Sequence, residues 1–162
     1  MANHSYMTIN GKEQGLISAG CSTLDSIGNT CQDGHRDEIL VLSFQHHIAN
    51  RGNVNAATHG PVVITKNIDK SSPLLAVALS NREELNCVIN FYRSSSTSGY
   101  EKYYTVDIRG CVIADLTLDV PHAVLQHDAQ AQEYMALRYR QIIWTHHRAS
   151  TSGYSYGELD EK

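Results

Sequence analysis

Long hydrophobic runs are missing from this sequence. The longest, residues 74–79, falls far short of the roughly 20 residues that a bilayer-crossing helix needs. Proline is equally scarce, with Pro61, Pro73 and Pro121 the only three. Each falls where one predicted element gives way to another, as suits a residue without a backbone donor. There is no surplus of positive charge: 13 Lys and Arg stand against 17 Asp and Glu, for a net charge of -4. Nothing in that balance suggests a nucleic-acid surface or an anionic-membrane surface. Cysteine is sparse too, with Cys21, Cys31, Cys87 and Cys111 far apart. Small secreted domains held by disulfides are much denser in cysteine. The reading is therefore buried free thiols, although Cys87 and Cys111 could lie on nearby strands and a bridge between them stays open. Residues 1–10 are polar and lack both the basic start and the apolar core of a signal peptide. The chain is expected to be made in a cytosol and to leave, if it leaves, by a route that reads no N-terminal signal.

What is present is enough for one packed domain. The 162 residues are 41% hydrophobic and 19% charged, too apolar for disorder. No internal repeat, low-complexity run or long linker divides them. Alternating patterns dominate. Leu85, Cys87, Ile89 and Phe91 alternate with Asn86, Asn90 and Tyr92, a period of two that marks a half-buried strand. The stretches 5–9, 15–21, 38–47, 61–66, 103–109 and 111–120 read as further strands. In 38–47, Leu40, Leu42 and Phe44 share one face while Ile39 and Val41 share the other, so both faces are expected to be covered. Residues 133–147 form the longest candidate, with a phase change near Arg140 and Gln141 that predicts a bulge or bend. One helix is expected, with Ser72 as N-cap, Pro73 as first helical residue, residues 74–79 as its apolar stretch, and Asn81 and Arg82 leading out of it. Residues 25–37 are rich in Gly, Asn, Asp and Ser and read as loop. Many strands with one short α-helix predict a mainly β protein, a closed or nearly closed antiparallel β-barrel. A β-sandwich is the runner-up.

The segment 48–60 interrupts this pattern with a long polar loop, and loops of that length in compact domains are usually functional. Chemistry is harder to find. The pairs His46-His47 and His146-His147 fall on strands, where neighbouring side chains point to opposite faces and do not share one ion. His122 and His127 are too far apart for a preset pair. Cys21 and Cys31 lack the short spacing of zinc sites. No phosphate-cradling glycine pattern or nucleophile elbow occurs. Glu83 and Glu84 follow the helix, where a solvated turn is expected. No catalytic residue, metal ligand or cofactor is expected. A Cys–His nucleophile pair, which is spatial rather than sequential, stays as a lesser alternative.

Several segments together resemble one family. Residues 62–75, with Asp69-Lys70-Ser71-Ser72-Pro73 at their centre, are similar to the strand-to-helix segment of Hcp proteins of the type VI secretion system. Residues 88–93 and 103–106 resemble the strands that follow. Residues 137–145, with Trp144, resemble the long terminal strand. The opening, residues 6–9 and 14–21, looks like the enterobacterial branch of that family. The likeness runs from about residue 6 to residue 153.

The resemblance implies a tube subunit rather than an enzyme. Six copies would form a homohexameric ring, and rings would stack into a tube inside a contractile sheath under a VgrG spike. Small effector proteins would ride in the lumen, and the tube would be secreted from the cell by the type VI system. The loop 48–60 would be the extended loop that reaches a neighbouring ring. Its interface residues would be Ile48, Asn50, Arg51, Asn53, Asn55, Thr58 and His59. Residues 1–153 would be the barrel domain and 154–162 a short acidic, disordered tail. Read without the resemblance, the same strands also suit a monomeric β-barrel that binds a small ligand.

Overall fold

Strands that alternate apolar and polar residues bury one face each, and in this chain they curl until the sheet meets itself. The computed structural model describes residues 4–28, 34–52, 56–97 and 99–157. In order they form β1 (Ser5–Gly11), β2 (Gly15–Leu16), α1 (Leu24–Ile27), β3 (Ile39–Gln45), β4 (Ile48–Ala49) and β5 (Thr58–His59). There follow β6 (Val62–Asn67), α2 (Ser72–Ser80), β7 (Leu85–Ser95), β8 (Gly99–Asp119), β9 (Gln132–Arg138), β10 (Gln141–His146) and β11 (Thr151–Tyr156).

Neighbours pair in the order β8, β7, β1, β3, β6, β9, all antiparallel, and β9 returns to β8. Closure depends on the length of β8, which spans 21 residues. Its first part, to Cys111, pairs with β7, and Val112–Asp119 pairs with β9. Gly110 stands at the changeover with φ 61, a backbone region glycine enters freely. A Cβ there would also come within 2.9 Å of the Arg140 side chain. A closed ring leaves no open edges among its own six strands. β10 and β11 extend from β8 as a flap beside the ring.

The interior is solid. Met7, Ile9, Ile39, Ile64, Ile89, Ile108, Met135 and Leu137 fill it, all fully buried. At roughly 1.5–3 kcal/mol for each large side chain removed from water, this packing dominates the stability of the fold. α2 packs onto it through Leu75 and Ala78 and leaves Val77 outside.

The expected β-barrel is what the chain forms. Details differ where pairing overrides local pattern. The stretch read as loop overlaps the four-residue α1, a second helix with no buried residue. α2 takes Ser71 rather than Ser72 as its N-cap. The strands expected at 103–109 and 111–120 are one bent strand, β8. The long strand expected at 133–147 breaks at Tyr139 and Arg140, where its phase changes. In β3 the register slips between Val41 and Ser43. This bulge turns Phe44 inward onto Phe91, at 5.1 Å between rings, away from Leu40 and Leu42. Tyr154 and Tyr156, assigned to the tail from sequence, belong to β11. Residues 158–162 lie outside the described residues.

The thiols Cys21, Cys87 and Cys111 are free and buried, so the bridge left open between Cys87 and Cys111 is not formed. Cys31 lies outside the described residues. Burial pushes the Cys21 thiol up to about 11. A hydrogen bond with Cys111, and then burial, push Cys87 well above the ordinary thiol range. Thiolate, the reactive form, is therefore disfavoured at both positions at neutral pH.

Candidate functional site

The loop 48–60 stands on a stem built from its own ends. Ile48 pairs with His59 and Ala49 with Thr58, forming the small β4–β5 ladder. The Gly60 N–H donates to the His47 carbonyl at 2.9 Å. A Cβ on Gly60 would meet that same oxygen at 2.9 Å, so the approach requires glycine.

Below the ladder, two histidines converge on one phenol. The Tyr139 hydroxyl lies 2.7 Å from His46 Nε2 and 2.6 Å from His59 Nδ1. His59 Nε2 meets Ser155 Oγ at 3.0 Å. A phenol has one proton to donate, so one imidazole nitrogen accepts it and the other ring donates N–H to the phenol oxygen. That arrangement needs at least one neutral histidine. Burial, followed by repulsion from His59 and His47, holds His46 below the ordinary imidazole range and favours its neutral form. The cluster joins the stem to the β9–β10 link and to β11, three segments far apart in sequence.

Above the stem, side chains face outward. Ile48 is 44% exposed, and Asn50 and Arg51 are exposed. Thr58 is half-buried. His59 differs from its sequence assignment as an interface residue. It is only 6% exposed, and its ring is spent on Tyr139 and Ser155 inside the chain. Asn53 and Asn55 lie outside the described residues. Tyr139 and Ser155 carried no sequence signal, because nothing local marks a tyrosine that meets a histidine about 80 residues away.

A second polar cluster explains the Asp69-Lys70-Ser71-Ser72-Pro73 motif. Lys66 on β6 is 0% exposed. Its Nζ reaches Asp69 Oδ1 and Glu133 Oε1 at 3.1 Å each, and the Asn67 carbonyl at 2.9 Å. Ser72 Oγ takes the Asp69 N–H at 3.0 Å and donates to Glu133 Oε1. Asp69 Oδ1 also accepts from the Ser71 N–H at 2.9 Å and the Ser71 hydroxyl at 2.5 Å. The motif thus bolts the start of α2 to the barrel wall through a buried cation. Lys66, Asp69, Ser71 and Glu133 are all buried, which suits a structural role for the cluster.

Glu83 corrects a further expectation, because it is buried rather than solvated. Burial alone would raise its carboxyl, but N–H donors from Gln14 and Glu13 outweigh that and hold it below the usual range. Glu83 Oε2 accepts the backbone N–H of Glu13 at 3.0 Å and of Gln14 at 2.9 Å. The β1–β2 turn is thereby fixed to the end of α2. Among the described residues no group of three His, Cys, Asp or Glu is placed to hold a metal ion.

The family model described as "Type VI secretion system effector, Hcp" matches residues 6–146. The chain is 41% identical to a "Major exported protein" of Pseudomonas aeruginosa over 94% of both chains. A crystal structure of an Hcp protein superposes with a TM-score of 0.88 at 31% identity, covering 96% of this chain and 98% of that one. The secreted protein Hcp3 from Pseudomonas aeruginosa gives 0.84 at 39% identity, covering 96% and 99%. A solid six-strand barrel, a projecting stemmed loop and matches along nearly its whole length place this chain in the Hcp family of the type VI secretion system.

Proposed function

We propose that this chain is a non-catalytic subunit of the type VI inner tube, working as a hexameric ring whose copies stack. One observation carries this reading: the loop 48–60 has a rigid, internally bolted stem and presents Ile48, Asn50 and Arg51 to the outside. A loop that merely closed a hairpin would not need a buried histidine, a half-buried one and a buried tyrosine at its base. The filled barrel interior argues against the ligand-binding alternative, since a chamber for a small molecule would need empty space among the strands. The raised Cys21 and Cys87 thiols argue against a cysteine nucleophile.

In this role the ring is made in the bacterial cytoplasm and its copies join head to tail, each contributing two different patches. Stacked rings fit within the sheath beneath a VgrG spike, carry small effectors in the lumen and leave the cell with the tube. The outer part of the loop makes the ring-to-ring contact. Asn50 and Arg51 are exposed, so Asn50→Ala with Arg51→Ala should leave the free energy of unfolding unchanged within ~0.5 kcal/mol. The same double variant should form rings but lose stacked tubes by negative-stain imaging and lose export. Wild-type tube length and secretion from this variant would remove the loop from the stacking contact.

A further inference from the structure

The barrel carries its projecting loop at one end and an open groove at the other. Beside the loop β3 ends, β6 begins and β9 ends, since Gln45 pairs with Val63 and Val62 with Leu137. The groove lies at the opposite ends of the same three strands. Leu40 near the start of β3, Asn67 at the end of β6 and Gln132 at the start of β9 line it, together with residues of the β8–β9 connection. β3 spans seven residues, so at ~3.3 Å per residue the two features stand about 20 Å apart along the barrel.

The groove encloses about 740 Å³. Leu42, Leu125 and Tyr134 line it and are exposed. Apolar side chains gathered in one exposed place mark an interaction site. Asp119 and Asp128 stand among them, and among the described residues no Lys or Arg lines the groove. His127 lies 3.9 Å from Asp128, while Asp119 makes no ion pair or side-chain hydrogen bond among the described residues.

The loop has the opposite character. Residues 48–60 contain no Asp or Glu. Ile48 and Arg51 are both exposed, and Arg51 makes no ion pair among the described residues. One apolar and one cationic side chain thus leave one end of the barrel, and an apolar groove with two carboxylates lies at the other. Copies that stack head to tail bring two such unlike ends together. Within one chain the length of the barrel keeps them apart.

We propose that this groove receives the loop of a copy in the next ring, with Ile48 against Leu40, Leu42 and Tyr134 and Arg51 beside Asp119 and Asp128. The proposal rests on the stacking role of the loop and names its receptor. The apolar contact supplies affinity, and the charges fix which way the loop lies.

Rings of Asn50→Cys and rings of Leu125→Cys, purified apart and mixed under mild oxidation, test it. Peptide mass spectrometry should find residue 50 of one chain joined to residue 125 of another. The link should be lost when the second ring carries Val77→Cys instead, an exposed position on α2. Adding Arg51→Asp to the first ring should cut the link about fivefold, the upper range for an exposed ion pair. Asp119→Lys with Asp128→Lys in the second ring should then restore it. No link above the Val77→Cys control, with tubes still lost in Asn50→Ala with Arg51→Ala, would overturn the groove as receptor and leave the loop in the stacking contact. Intact tubes in that double variant would withdraw the stacking role, and the proposal with it.

Discussion

Lys66→Met should lower the free energy of unfolding by about 3–5 kcal/mol, the range for removing one member of a buried ion pair. The substitution nearly preserves volume, so packing contributes little to the loss. What remains are the carboxylates of Asp69 and Glu133, both buried, with their cation gone. Ser72 still bonds both the Asp69 amide and Glu133, but a serine hydroxyl offsets no charge. The start of α2 should therefore loosen first. A second variant checks the cause: Lys66→Met with Glu133→Leu removes a charge of each sign and should recover part of the loss. Urea unfolding measures both. A loss below about 1 kcal/mol for the single variant would mean the cluster does not hold α2 to the barrel.

His59→Ala should act on assembly more than on stability. It deletes bonds to Tyr139 at 2.6 Å and to Ser155 at 3.0 Å, and leaving such buried groups short of a partner costs about 1–3 kcal/mol. The barrel strands keep their packing, so the chain still folds. The stem of the loop, however, is no longer fixed to the β9–β10 link and β11. Amide exchange over residues 46–52 and 56–60 should speed up at least tenfold while β7 and β8 stay protected. Rings should still form, with stacking reduced. Tyr139→Phe should do the same, because the one hydroxyl serves both histidines. Unchanged exchange in those segments with unchanged tubes would show that the loop holds its shape without this cluster.

The main strands were legible because their core contacts follow period two. β9 buries alternate residues from end to end, and β7 does so from Leu85 to Ile89. β3 was half legible. Its bulge at Leu42 exists because β6 pairs two residues of β3 against one interval of its own, and that choice belongs to the partner strand. β11 was not legible at all. Thr151-Ser152-Gly153-Tyr154-Ser155-Tyr156 has the composition of a turn and becomes a strand only by pairing with β10.

At the candidate site, the loop and its exposed residues followed from polar composition and length, whereas its foundation did not. His59 has the same local look as Asn50 and Arg51, and only the fold brings Tyr139 beneath it. Lys66 and Glu133 left a signal that composition conceals. Lys66 follows Val62 and Ile64 in the buried phase of β6, and Glu133 precedes Met135 and Leu137 in the buried phase of β9. Two opposite charges on inward positions of strands that pair side by side make each other's burial tolerable.

The central claim is that one copy is a part of a larger object, a ring of six. Native mass spectrometry of the purified full chain tests this most directly. The account predicts a dominant species at six times the 18.0 kDa subunit, with the same mass in the loop variant Asn50→Ala with Arg51→Ala. A single species at 18.0 kDa at every concentration, up to the solubility limit, would contradict it.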